Sequence, residues 1–306
     1  MIEKHPQRFS KYRKEVEEYA TNYFASKRYP VGKKSKYILD KRDNWCRNII
    51  LDSVHQYIAN EKEEAKKSKI SFPLHKYIHH GLSSQAMLFN LFGEPLINQD
   101  YVFFQDVFQF SDIKLDEKYE LKFEHYNRNT FKETTQQPTS FDFAVFDSTG
   151  EHRNIFIEAK YVEREFGGCS SIESGECDGL NPVNNHDSCY LTQKGRTYWQ
   201  LMKKHGLDQP YQNCSICPFA IYYQFFRELM FALENNGYFV LLIDKRNPAF
   251  EKSNNGNKRG LISVLLNQIP QKLHYVIKVL YIQDVLPILE KHGYSWVGEF
   301  REKYGM

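Results

Sequence analysis

The chain has 306 residues, 41% of them hydrophobic and 15% aromatic, which is enough for one large domain or two small ones with a sizeable core. Its formal net charge is only +3, from 41 Lys and Arg against 38 Asp and Glu. The opening residues contain no apolar signal segment, and no stretch reaches the roughly 20 apolar residues of a membrane span. We therefore predict a soluble cytoplasmic protein without a membrane partner.

The charge is unevenly distributed along the chain. Residues 1–80 carry 18 Lys and Arg against 10 Asp and Glu, a surplus of +8; because the whole chain has 41 and 38, the remainder has 23 against 28, or −5. A basic amino-terminal region suits an acidic partner such as nucleic acid, and solvated helix faces are the alternative. We predict a basic helical region over 1–80 and a second domain over 81–306.

The predicted elements follow from hydrophobic periodicity and from capping residues. Helices are expected at 6–27 and 39–69, and a short helix begins after Ser83 or Ser84 and stops at Gly93. The later elements are strands at 118–126, 140–146 and 154–163, helices at 191–205 and 218–235, strands at 237–244 and 272–282, and a helix at 283–292. This order predicts an α/β protein with a mixed central sheet flanked by helices.

Two of these strands carry charged residues inside apolar runs. The strands at 140–146 and 154–163 flank a polar turn, so we expect an antiparallel hairpin. Strand alternation places Phe141, Phe143 and Val145 on one face of the first strand, and Ile155, Ile157 and Ala159 on the core face of the second. Asp142, Glu158 and Lys160 take the opposite faces, so pairing brings two carboxylates and one ammonium together at a sheet edge.

Such a cluster has a definite chemical use. Neighbouring carboxylates repel each other unless one is protonated or a cation joins them. Mg²⁺ suits this role because it prefers oxygen ligands and binds through one or two carboxylates plus waters or phosphates. A nearby lysine can position or deprotonate the attacking water or stabilise charge on a phosphate. The cluster thus outlines a site for phosphodiester hydrolysis; the alternative is a surface ion pair on an edge strand.

The arrangement of Asp142 and Glu158-Ala159-Lys160, separated by a gap of fifteen residues, resembles the PD-(D/E)xK nuclease superfamily. Within it, the chain is similar to bacterial proteins assigned as restriction endonucleases. The motifs that carry this similarity are Ser83-Ser84-Gln85, Phe89-Asn90-Leu91-Phe92-Gly93, Pro138 to Phe143, Glu158 to Tyr161, and Tyr223-Gln224 with Arg227-Glu228. The resemblance covers residues 80–245 and implies a restriction-endonuclease-like core with a helical amino-terminal extension.

The resemblance also implies roles for individual residues. Asp142 and Glu158 would hold Mg²⁺ or Mn²⁺ together with the backbone carbonyl of Ala159, and Lys160 would assist the attacking water. Gln85 stands where the superfamily often has an acidic residue, and its side chain can accept a hydrogen bond from a metal-bound water.

Three further residues are candidates for the same site. Glu124 would supply the carboxylate that is missing at position 85; its alternative is a solvent-facing strand position. Gln224 and Arg227 lie one turn apart on a predicted helix. They would orient Lys160 or contact a phosphate of the nucleic acid, and their alternative is an exposed helix face.

Five of the six cysteines lie in an insertion at about residues 167–217, namely Cys169, Cys177, Cys189, Cys214 and Cys217. In a reducing compartment these are metal ligands or free thiols rather than disulfides. The pair Cys214 and Cys217 has CxxC spacing, and two of the other three would complete a zinc site or ligate an iron–sulfur cluster. His186 is a further candidate ligand. The group His75, His79 and His80 is interpreted as phosphate contacts or plain surface.

Two functions follow. The first is a Mg²⁺-dependent endonuclease acting on DNA, with restriction or host defence as the setting that the resemblance implies. The sequence does not separate DNA from RNA, and a homodimer would let two strands be cut together. The second is a non-catalytic nucleic-acid-binding or interaction module that retains the nuclease fold.

Overall fold

The computed structural model describes residues 5–68, 70, 72–111, 113–134, 138–254 and 257–306. The described strands are β1 (Tyr119–Tyr126), β2 (Ser140–Asp147), β3 (Asn154–Lys160), β4 (Gly237–Ile243), β5 (Lys252–Asn254), β6 (Asn257–Arg259) and β7 (Ile277–Tyr281). The described α-helices are α1 (His5–Ser26), α2 (Asp52–Lys67), α3 (Ser84–Ile97), α4 (Tyr101–Val107), α5 (Ser170–Glu173), α6 (Tyr190–Gln193), α7 (Tyr198–Lys204), α8 (Phe219–Glu234), α9 (Leu261–Leu266), α10 (Ile282–Lys291) and α11 (Val297–Tyr304).

A five-stranded sheet in the order β1-β2-β3-β4-β7 organises these elements. Pairing is antiparallel from β1 to β2 and from β2 to β3, and parallel from β3 to β4 and from β4 to β7. The predicted mixed sheet and the predicted β2–β3 hairpin are thereby confirmed. Because β3 lies between two strands, its residues are interior to the sheet rather than on an edge strand.

Both faces of the sheet are covered by helices. One apolar cluster joins Ile155, Ile157 and Ala159 of β3 to α1, α3, α4, α10 and α11. The other joins Phe156 and the alternate residues of β4 to α7, α8 and α9. The amino-terminal helix α1 packs directly on the carboxy-terminal helix α11. Within the described ranges, no helix combines the length and apolar character that crossing a bilayer requires.

The helix predicted at 39–69 is wrong in its first half, and residue 69 lies outside the described residues. A 3-10 helix spans Arg42–Asn48, the chain is extended at Ile49 and Leu51, and α2 then begins. Asn48 explains the break: its side-chain amide donates to the carbonyl oxygens of Ile78 and His80, at 2.8 and 2.7 Å. The backbone at the break bonds to Asn90: the Ile50 N–H donates to Asn90 Oδ1 at 2.7 Å, and the Asn48 carbonyl accepts from the Asn90 amide at 3.0 Å. The apolar periodicity of the sequence does not show these long-range bonds.

Two other helix predictions are wrong at a glycine: one helix is interrupted there, and the other continues past it. The segment 191–205 forms two short helices, α6 and α7, because Gly195 adopts a left-handed φ of 81° between them. Ser83 caps α3 as predicted, accepting a hydrogen bond from the Ala86 N–H. The helix nevertheless continues through Gly93 to Ile97, so the predicted stop at Gly93 is wrong.

Gly93 serves close packing between α3 and α2. A Cβ atom at this position would lie 2.5 Å from Val54 Cγ1 and 2.7 Å from Cγ2. We expect Gly93→Ala to destabilise the protein by about 1–3 kcal/mol, because overpacking outweighs the gain in helix propensity. Gly298→Ala in α11 is the matched control, since a Cβ there meets nothing within 4 Å. Equal melting temperatures of the two variants in calorimetry would contradict this account.

Candidate active site

The carboxyl end of β3 carries a buried ion pair. Glu158 and Lys160 are only 6% and 4% exposed, and Lys160 Nζ lies 2.7 Å from Glu158 Oε1. Gln224 of α8 contacts both partners: its carbonyl oxygen accepts from Lys160 Nζ at 2.9 Å, and its amide donates to Glu158 Oε1 at 2.7 Å. The alternative of a surface ion pair on an edge strand is therefore wrong, and Gln224 does not lie on an exposed helix face.

Asp142 meets this pair through a break in strand alternation. The β1–β2 register passes over Glu124 and Asp142, and the β2–β3 register begins only at Phe143. Beyond that point the Ala159 N–H donates to Asp142 Oδ2 at 2.8 Å. The hairpin strands have thus separated enough for a side chain, rather than the backbone, to accept this bond.

The same break corrects one sequence prediction. Phe143 and Val145 pack in the cluster that contains Ile155 and Ile157, whereas Phe141 packs on the opposite face against Phe156. The prediction that Phe141, Phe143 and Val145 share one face is therefore wrong. Opposite Asp142, Glu124 has a positive φ of 54°, a conformation that is uncommon for residues other than glycine. Regular alternation cannot continue through such a residue.

Glu124 is buried beside Gln85 rather than facing solvent. The Gln85 amide donates to Glu124 Oε1 at 2.6 Å and to the Pro73 carbonyl at 2.9 Å. Gln85 Oε1 in turn accepts from the His75 N–H at 2.9 Å. Gln85 therefore holds both the carboxylate of Glu124 and the 73–75 loop in place.

Burial and mutual repulsion shift the pKa values of these acids. Burial, with the carboxylates of Glu158 and Glu124, raises the pKa of Asp142 well above its ordinary value. Burial, with Glu158, likewise raises the pKa of Glu124 to about 8. Burial acts against the Lys160 ammonium, but Glu158, Glu228 and Glu163 outweigh it and raise the pKa of Lys160. Lys160 is therefore protonated at neutral pH. The neighbouring carboxylates, in contrast, disfavour one another's ionised form.

Two acidic residues at the site were assigned no role from the sequence, although Glu228 lies in one of the motifs named above. Glu228 is one turn beyond Gln224 on α8; it is buried, its Oε2 has no hydrogen-bond partner, and burial followed by Glu158 raises its pKa. Glu163 accepts from the Ser84 hydroxyl at 2.8 Å and from the Tyr161 N–H at 2.7 Å. The four-residue spacing of Gln224 and Glu228 on a helix was the available signal.

Arg227 lies close to this group without touching Lys160. Its guanidinium stands 4.9 Å from the Tyr223 ring centroid, and its buried Nε has no hydrogen-bond partner. Of the three histidines singled out in the sequence, His75 is near the site, because Glu163 and Lys160 both influence its pKa, which burial lowers. Burial also lowers the pKa of His80 to about 4, so this ring is neutral at neutral pH.

The acidic group fits a magnesium ion by its chemistry. Asp142, which is half-buried, and Glu158, which is buried, place two carboxylates together, and Glu228 Oε2 is a buried oxygen without a hydrogen-bond partner. Among the described residues, no three His, Cys, Asp or Glu side chains are already arranged to hold a metal. This does not exclude Mg²⁺, which keeps several waters and needs only one or two carboxylates from the protein.

The cysteines divide into a group and two outliers. Cys169, Cys177, Cys189 and Cys217 line one small cavity beside α8. Cys214 is exposed, and Cys46 lies outside this insertion. His186 stacks on Trp199 with ring centroids 5.4 Å apart. The CxxC spacing predicted that Cys214 and Cys217 share one metal, but only Cys217 lines this cavity.

The raised pKa of Glu124 leads to a testable pH dependence. Its ordinary value is 4.5 and its folded value about 8, so the folded state binds a proton more tightly than the unfolded state. The resulting stability is complete below pH 4.5 and is lost as the pH rises towards 8. In chelator, we expect Glu124→Gln to melt at a progressively higher temperature than wild type as the pH rises. Parallel melting curves from pH 5 to 8 would contradict this.

The fold and the site together define the class of the protein. It is an α/β protein whose mixed sheet, flanked by helices, places a carboxylate–lysine group at the carboxyl end of a central strand, as expected of a restriction-endonuclease-like domain. The chain belongs to the family described as "Restriction Endonuclease associating with ARP", whose model matches residues 7–305. No curated protein and no solved structure gave a significant match. Family membership indicates a nuclease role in defence.

Proposed function

We propose that this protein is a Mg²⁺-dependent endonuclease of PD-(D/E)xK type that hydrolyses phosphodiester bonds of DNA. The observation that carries the proposal is the buried contact of Lys160 with both Glu158 and Gln224, beside Asp142 on the Ala159 N–H. We place the activity in the cytoplasm, in restriction or host defence, as the family description suggests.

Each residue of the site has a defined task. Asp142 and Glu158 would hold the ion, with the Ala159 carbonyl and Glu124 as further oxygen donors. When bound, Mg²⁺ lowers the pKa of a water molecule and neutralises charge that develops on the phosphate. Gln85 keeps Glu124 in position, and Gln224 fixes the ammonium of Lys160.

The charge of Lys160 decides its role. Because its pKa is raised, the ammonium is an unsuitable base for removing a proton from water at neutral pH. Lys160 instead donates hydrogen bonds and stabilises negative charge on the phosphate and on the attacking oxygen. Of the three roles that the sequence left open, this favours positioning the water and stabilising charge on the phosphate over deprotonating the water.

Several features of the chain favour a nucleic acid as the partner. The surplus of +8 over residues 1–80, from 18 basic and 10 acidic side chains, would contact phosphates in a salt-sensitive way. Arg227 is a candidate for contacting a phosphate, because it is a cation whose charge acts on Glu228 at the site. Cutting both strands at once would use two such sites, so we propose a homodimer on DNA.

The competing function is a non-catalytic binding module. A module that only binds nucleic acid gains nothing from burying Lys160 and Glu158, since burying charges costs free energy. The presence of this buried ion pair, despite its cost in free energy, favours a catalytic role.

A cleavage assay separates the two functions. Supercoiled plasmid, linear duplex and single-stranded RNA are incubated with the protein in Mg²⁺, in Mn²⁺ or in chelator. We expect nicked or linear plasmid in either metal and none in chelator. Cleavage of RNA alone would overturn the substrate class. Binding without cleavage of any substrate in either metal would instead establish the non-catalytic module.

A further inference from the structure

Four cysteines converge on one cavity in the insertion that follows β3. Cys169, Cys189 and Cys217 are buried and Cys177 is half-buried. Their cavity has a volume of about 10 Å³. The four residues come from separate turns of the chain: Cys169 precedes α5, Cys177 follows it, Cys189 precedes α6 and Cys217 precedes α8. Local helix packing does not account for such a meeting of distant thiols.

Backbone N–H groups lie beside two of these sulfurs and partly offset the effect of burial on their pKa. Burial raises the pKa of Cys169, but the backbone N–H groups of Ser171 and Ile172 act in the opposite direction. Burial also raises the pKa of Cys217 to about 12, and the Phe219 N–H opposes it. Hydrogen bonds from backbone N–H groups stabilise thiolates that ligate a metal. Cys189, Cys169 and Cys177 each influence the pKa of Cys217, as expected for cysteines that line one cavity.

We propose that Cys169, Cys177, Cys189 and Cys217 bind one zinc ion through four thiolates. The size of the cavity favours a single ion over an iron–sulfur cluster, because about 10 Å³ is roughly the space of one water molecule, whereas a cluster of several iron and sulfide atoms needs more room. Among the described side chains, no three potential ligands are already arranged to hold a metal ion. Zinc would therefore draw the sulfurs together, and Cys177 has the most freedom to move because it is the least buried.

The zinc would fasten the insertion to the start of α8. The segment before Cys169 already pairs with this helix: Cys169 N–H donates to the Phe219 carbonyl at 2.8 Å, Tyr223 N–H to Gly167 at 3.1 Å, and Gln224 N–H to Phe166 at 3.3 Å. The last of these bonds fixes the backbone of Gln224, which contacts Lys160 and Glu158. The ion is thus a structural support of the helix that borders the candidate active site.

Metal analysis of the full-length protein tests the proposal. The protein is expressed in medium with both zinc and iron, and dialysed against a weak chelator. We expect about one zinc per chain, little iron and no brown colour. Cys177→Ser should retain less than about a tenth of an equivalent, because a structural zinc site needs all four ligands. Cys214→Ser is the matched control and should keep its zinc, because its thiol is exposed outside the cavity.

A titration of wild-type protein covers the case in which Cys177→Ser does not fold. A mercurial reagent should modify the thiols of Cys46 and Cys214 without releasing zinc, and should release the ion as the other four thiols react. Any one of three results would overturn the proposal: iron with sulfide in place of zinc, disulfides among the four cysteines in the isolated protein, or loss of zinc from Cys214→Ser.

Discussion

Replacing Lys160 by glutamine should lower the rate of Mg²⁺-dependent DNA cleavage by about a hundred- to thousandfold. The substitution removes the ammonium but keeps groups that can hydrogen-bond to Glu158 and Gln224, the two partners of Lys160. The loss therefore reports the missing positive charge at the phosphate rather than a collapsed site. Initial rates on supercoiled plasmid at saturating Mg²⁺ give the comparison.

Lys122→Gln is the matched control for this experiment. Lys122 lies on β1 of the same sheet, and its ion pair with Glu120 is about half exposed on both sides, at 45% and 51%. Exposed ion pairs contribute roughly 0–1 kcal/mol to stability, so this variant should keep the wild-type rate and melting temperature. Equal cleavage rates for Lys160→Gln and Lys122→Gln would show that Lys160 is not part of the catalytic group.

The second large effect contrasts two aspartates at opposite ends of β2. Asp142→Asn should abolish most cleavage and at the same time raise the melting temperature at neutral pH in chelator. Removal from solvent and the carboxylates of Glu158 and Glu124 raise the pKa of the half-buried Asp142, so an uncharged amide relieves both penalties. The amide oxygen can still accept the Ala159 N–H. Because the folded pKa is raised, the gain should disappear as the pH falls and Asp142 binds its proton.

Asp147→Asn should behave in the opposite way. The Asp147 carboxylate accepts N–H groups of Thr149, Glu151 and His152, at 2.9, 2.9 and 2.8 Å. Burial acts against this carboxylate, yet these bonds and that of the Thr149 hydroxyl lower its pKa overall. An amide provides one acceptor oxygen instead of two, so we expect a loss of about 1–3 kcal/mol, with cleavage per folded molecule unchanged. If both variants shift melting temperature and activity in the same direction, the assignment of Asp142 is wrong.

The sequence predicted the parts of the fold that depend on local pattern. Apolar runs and a polar turn predicted β2, β3 and their pairing, and alternation correctly placed Ile155 and Ile157 in the core. Long-range contacts explain the errors. Asn48 ends a helix through bonds to residues some thirty positions away, at Ile78 and His80, and no periodicity records such bonds.

The charged residues of the site were predictable from the sequence, but the local backbone geometry and the directions of the thiols were not. Asp142, Glu158 and Lys160 stood out because charged residues interrupt apolar strands. The change of face between Phe141 and Phe143 lies opposite Glu124, whose left-handed backbone conformation is not evident from its residue type. The CxxC spacing was misleading for a similar reason: Cys214 faces solvent while Cys217 turns inward before α8. Spacing alone does not determine which way each thiol points.

Anomalous diffraction from crystals of the protein soaked in Mn²⁺ locates the bound metal without relying on activity. We expect an anomalous peak in contact with carboxylate oxygens of both Asp142 and Glu158, next to the ammonium of Lys160. A Mn²⁺ ion bound elsewhere, with these two carboxylates contacting only protein groups, would contradict this expectation.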